Sequence, residues 1–63
     1  MTAAEDSLRR AEELMKRLEQ TRARLEATSD PDAAIEVLTE LAQIAKDVEA
    51  ALSQAKRETD AGA

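Results

Sequence analysis

Between Ala34 and Ala55 the apolar residues fall at Ala34, Leu38, Leu41, Ala45, Val48, Leu52 and Ala55. The steps alternate four and three without a break, which is a 3.5-residue repeat. That period draws one apolar seam along a helix and calls for a second helix to lie against it. The first half of the chain has a matching seam at Leu8, Ala11, Met15, Leu18, Arg22 and Leu25, in which Arg22 is the single polar position. The stem of Arg22 can pack on the seam while its guanidinium reaches solvent.

The ends of both helices are written in the sequence. Thr2-Ala3-Ala4-Glu5 has the form of a capping box, in which the Thr2 hydroxyl accepts from the Glu5 amide and the Glu5 carboxylate reaches back to the Thr2 amide. Asp30 is suited to an N-cap, Pro31 to the first helical position and Asp32 to the positive end of the helix dipole. The predicted elements are a first helix over about 3–27, a turn over about 28–30, a second helix over about 31–58 and a frayed tail over 59–63. Glu5–Arg9, Asp6–Arg10, Glu12–Lys16 and Glu13–Arg17 stand as acid-before-base pairs at i,i+4 along the first helix.

A connection this short makes the helices antiparallel neighbours. The fold class is therefore all-α, an antiparallel two-helix hairpin of the coiled-coil type, expected to dimerise into a four-helix bundle. Residues whose numbers total about 59 or 60 should lie side by side, so that Leu18 meets Leu41 and Met15 meets Ala45. With heptad position a at Leu8, Met15, Arg22, Leu38, Ala45 and Leu52, position g holds Leu14 and Thr21 on the first helix and Val37, Ile44 and Ala51 on the second. If the hairpin closes on its a and d positions, this g strip is left outside, widened by Ile35 and Ala42 on the other flank. An apolar strip of that kind marks an interface. The c positions bordering it are Arg10, Arg17 and Arg24 on one helix and Glu40 and Asp47 on the other, complementary rows under a two-fold axis. The expected self-association surface is thus Leu14, Val37, Ile44 and Ala51, edged by Arg10, Arg17, Glu40 and Asp47.

Composition narrows the picture. A chain of 63 residues is one domain, marginal when alone. With no Cys and no His, disulfides are excluded and a zinc site is not expected, so stability has to come from helix packing and association. There is no Phe, Tyr or Trp, and only one Gly and one Pro. Met15 reads as core filler and Met1 as the initiator. The net charge of −5 is placed unevenly. Residues 1–28 balance Arg9, Arg10, Lys16, Arg17, Arg22 and Arg24 against Glu5, Asp6, Glu12, Glu13, Glu19 and Glu26, so the excess lies entirely in residues 29–63. An acidic chain without aromatic rings argues against direct nucleic-acid binding. No apolar run approaches a membrane span and none resembles a signal peptide, so a cytoplasmic protein is expected. The serines and threonines have no His beside them, the carboxylates lie at exposed heptad positions, and no glycine-rich phosphate loop occurs. The expectation is a protein without catalytic residues, cofactor or metal.

Arg24-Leu25-Glu26 near the end of the first helix, Ala34-Ile35 early in the second, Leu52-Ser53-Gln54-Ala55 near its end, and Leu18-Glu19-Gln20 together resemble the small subunit of exonuclease VII over roughly residues 8–57. Leu38 stands where that family tends to have Phe, Leu41 where it tends to have Gly, and the turn here has no Gly. The resemblance implies a non-catalytic accessory subunit held on a larger nuclease subunit. The regular heptads and the short Ser29-Asp30-Pro31-Asp32 turn are also similar to those of designed helical bundles.

Overall fold

A computed structural model of the chain describes residues 2–62, so Met1 and Ala63 lie outside the described residues. Two helices, α1 (Ala3–Ala27) and α2 (Pro31–Gly62), pack against one another as an antiparallel hairpin, and no strand is present among the described residues. α2 runs on through Gly62, past the expected helix end at about residue 58. Nothing in Thr59-Asp60-Ala61 breaks a helix, since the one Pro of the chain is at position 31, and the Thr59 hydroxyl donates to the Ala55 carbonyl at 2.9 Å.

Both ends of α1 and the start of α2 are closed by nearby residues. The Thr2 hydroxyl accepts from the Glu5 amide at 3.1 Å, and the Thr2 amide donates to the Glu5 carboxylate at 3.4 Å, so both halves of the capping box are made. At the far end the Thr28 hydroxyl donates to the Arg24 carbonyl at 2.7 Å and the Thr28 amide to the Leu25 carbonyl at 3.1 Å. Asp30 then starts α2. Its carboxylate accepts from the Ala33 amide at 3.3 Å and its carbonyl from the Ala34 amide at 2.9 Å. The turn needs no residue at positive φ, which is why it can do without glycine.

The packing departs from the expected seam in a regular way. Among the residues whose burial is described, every d and g position of the two helices is buried or half-buried, and every a and e position is exposed. The hairpin has closed on d and g, not on a and d. Its inner layer holds Ala11, Leu14, Leu18, Thr21 and Leu25 of α1 against Val37, Leu41, Ile44, Val48, Ala51 and Ala55 of α2. The a positions expected in the core are outside it: Leu8, Met15, Leu38, Ala45 and Leu52 are all exposed. An apolar arc spanning a, d and g is wider than one neighbouring helix can cover, so one half of it must remain open. Apart from Leu14, the packed g half carries short or β-branched side chains (Thr21, Val37, Ile44, Ala51), which let the helices approach, whereas the a half, apart from Arg22 and Ala45, carries long Leu and Met side chains.

Two polar links cross the hairpin. The Ser7 hydroxyl donates to the Glu58 carboxylate at 2.5 Å, and Arg24 forms an ion pair with Glu40. In each, the α2 partner lies roughly a turn further from the loop than a register of 59 or 60 would place opposite the α1 residue. Helical side chains lean towards their own N-terminus. In an antiparallel pair the α1 side chains therefore lean away from the loop and those of α2 towards it, which accounts for the sense of the offset.

Candidate interaction surface

In an antiparallel pair, corresponding heptad positions of the two helices lie on the same side, so closure on d and g gives the hairpin two different faces. One face carries the c positions. Arg24 and Glu40 are joined there, and Ser7, Arg10, Asp47, Ala50, Ala51 and Gln54 line one shallow pocket of it. The other face carries the a positions of both helices. Leu8 and Leu52 lie on it towards the open end, Met15 and Ala45 near the middle, and Arg22 and Leu38 near the loop. The e positions Ile35 and Ala42 extend this face along α2.

The apolar face is well exposed. Leu8, Met15, Leu38 and Leu52 expose between 45% (Leu52) and 51% (Leu38) of their surface, and Ile35 exposes 61%. For comparison, Ile44 in the inner layer exposes 2%. Single exposed leucines are ordinary on a protein surface, but a row repeating along the whole length of a helix pair is not.

This reverses the expected location of the surface. Val37, Ile44 and Ala51 are buried between the helices and Leu14 is half-buried there, so these four belong to the hairpin's own core. Both strips were visible in the heptads, but the sequence could not say which of the two the hairpin would take. The charges expected to border the surface also lie elsewhere. Arg10, Arg17, Glu40 and Asp47 are on the charged face, and Glu40 is paired with Arg24 of its own chain. Arg17 and Asp47 stand one heptad further along, at the level equivalent to Arg24 and Glu40. The Asp47 side chain is a methylene shorter than Glu40 and accepts instead from the Gln43 amide nitrogen at 3.2 Å.

The rim of the apolar face is polar. On α1 it is an acidic row at the e positions, Glu5, Glu12, Glu19 and Glu26. Glu5, Leu8, Arg9 and Glu12 line a shallow pocket together, which places the first part of this row beside the apolar face. Arg22 lies between Glu19 and Glu26 and pairs with both, at 3.0 Å to Glu19. The hydrogen bond and charge of Glu19, followed by the charge of Glu26, hold its guanidinium pKa above the ordinary value. The Arg22 side chain is half exposed and turned along the rim. On α2 the corresponding e positions are Ile35, Ala42, Glu49 and Lys56. Of the i,i+4 pairs expected along α1, Asp6–Arg10, Glu12–Lys16 and Glu13–Arg17 are open among the described residues. Exposed pairs of this kind gain little over hydration.

Among the described residues no cluster of His, Cys, Asp or Glu could hold a metal ion, and no helix is long and apolar enough to cross a membrane. The fold and its surface define the chain as an all-α helical hairpin with one apolar and one charged face. No family model matches the chain, and neither a characterised protein nor a solved structure matches it.

Proposed function

We propose that this chain is a structural and interaction module, without chemistry of its own, that self-associates through its apolar a-face. Two hairpins would stack as the two layers of a four-helix bundle. The observation that supports this is the exposure of every a position on both helices although the row belongs to a heptad repeat. In a four-helix bundle a and d point together at the central axis, and each helix touches one neighbour along its g side and the other along its e side. A single hairpin supplies the g-side contact alone. The shape agrees with half a bundle. The molecule measures 49 × 15 × 10 Å, one helix layer thick, and its radius of gyration of 14.6 Å exceeds the roughly 11 Å of a compact domain of this length. Its accessible surface of 4738 Å² likewise exceeds the roughly 4,000 Å² of a compact monomer of 6.9 kDa.

Leu38→Glu tests the reading. The substitution puts a charge in the middle of the apolar face but replaces no residue of the hairpin's inner layer. Sedimentation equilibrium should find a dimer for the wild type and a monomer for the variant at micromolar concentration. Far-UV circular dichroism should show reduced helicity for the variant, since a lone hairpin of this size is marginal. A monomeric wild type, or a dimer unaffected by Leu38→Glu, rejects self-association through this face. Ile44→Glu is the contrasting variant: it buries a charge within the hairpin and should unfold the chain itself.

A further inference from the structure

We propose that Met15 is a redox-sensitive site of the apolar face: a peroxide oxidises its thioether to the sulfoxide in the free hairpin, and the sulfoxide keeps a second copy from docking. This rests on the self-association just proposed and adds a means of regulating it. The chain has no Cys, His, Trp or Tyr, so methionine is the side chain most open to mild, reversible oxidation. Of its two methionines, Met1 lies outside the described residues. Met15 stands at an a position near the middle of the face and is 48% exposed. Leu8, Leu38 and Leu52 fill the other large apolar places of the row and are inert to such oxidants. A second copy centred on the face covers Met15 whichever end its loop takes.

The step balances with the peroxide alone. A sulfur lone pair takes one oxygen of hydrogen peroxide, the O–O bond breaks, an S–O bond forms and water leaves. Sulfur is oxidised by two electrons and the peroxide is reduced by two. The product turns a flexible apolar side chain into a polar one, with a strong acceptor oxygen in place of a weakly accepting sulfur. The free hairpin leaves that oxygen in water without cost to its inner layer, which Met15 does not enter. Once the face is covered the oxygen needs a donor, and its neighbours are poor sources of one. Glu12 and Glu19, beside it on the e row of α1, are carboxylates that only accept. Ala45 stands near it on α2, and Arg22, one heptad along the a row, is held by Glu19 and Glu26. An unbonded polar group taken out of water disfavours the covered state on the order of tenfold or more, and a symmetric dimer holds two of them. The linkage is reciprocal: a sulfoxide that disfavours the dimer implies a dimer that shields the thioether, so oxidation proceeds through the dissociated hairpin.

Treatment of the wild-type dimer with hydrogen peroxide tests the proposal. The tryptic fragment 11–16 contains Met15 without Met1, so mass spectrometry reads the oxygen added to Met15 separately. Sedimentation equilibrium should show the dissociation constant raised on the order of a hundredfold once Met15 is oxidised. Methionine sulfoxide reductases with a thiol reductant should bring the dimer back. Met15→Leu keeps Met1 as its one thioether and should stay dimeric through the same treatment. Oxidation of wild-type Met15 should also slow as protein concentration rises through the dissociation constant. An unchanged dissociation constant after oxidation, no recovery on reduction, or equal weakening of Met15→Leu overturns the redox site while leaving self-association intact. An oxidation rate indifferent to concentration in a dimeric wild type shows Met15 uncovered and overturns the site as well. A wild type that is monomeric by mass before treatment overturns both readings.

Discussion

Thr21 is buried in the inner layer, at a position where the heptad pattern asks for an apolar side chain. Thr28, Thr39 and Thr59 each donate their hydroxyl to the carbonyl four residues earlier, but Thr21 makes no such bond among the described residues. Valine has nearly the same shape and no hydroxyl to desolvate. Among the described residues no fully buried side-chain oxygen lacks a partner, so the Thr21 hydroxyl carries little unmet desolvation cost and Thr21→Val should change stability by less than about 1 kcal/mol in urea unfolding. A larger loss of stability would mean that the hydroxyl is well bonded. Arg22 shows the opposite case. It occupies an a position but is turned to the rim by Glu19 and Glu26, so a charged residue is carried in the apolar row without being buried.

At the scale of the elements, the start of α2 depends on one side chain. The Asp30 carboxylate accepts from the Ala33 amide, and Asp32 adds negative charge to the first turn. Asp30→Ala should cost about 1 kcal/mol, seen as a lower midpoint in urea unfolding. An unchanged midpoint would show that Pro31 and the packing of α2 define the helix start unaided. The element bounds were legible because they follow from local chemistry: a capping box, an N-cap followed by Pro, and an uninterrupted run of helix formers. The continuation of α2 to Gly62 was less so. The small polar residues at 59–61 suit a frayed end as well as a helix, and the Thr59–Ala55 hydrogen bond is seen only once the chain is folded.

At the scale of the whole molecule, stability and association are linked. If the apolar face is covered by a second copy, dimer formation adds to folding by mass action. The melting temperature of the wild type should then rise by several degrees between about 10 and 1,000 µM protein, and Leu38→Glu should remove that rise. A melting temperature independent of concentration in the wild type would show that the hairpin is stable with its leucines exposed.

The sequence by itself determined that the chain forms two helices, that they are antiparallel, and that its apolar arc is wider than one partner can cover. These are consequences of period, caps and turn length, all local in the chain. Only the tertiary structure decided which part of the arc the hairpin keeps. The a and g strips flank the d row at similar angles and are both apolar, so a heptad pattern has no means of ranking them. The choice depends on how closely the two backbones approach and on links between residues far apart in the chain, Ser7 with Glu58 and Arg24 with Glu40. That choice put Ile44 inside and Leu38 outside, and moved the candidate interaction surface from one side of the hairpin to the other.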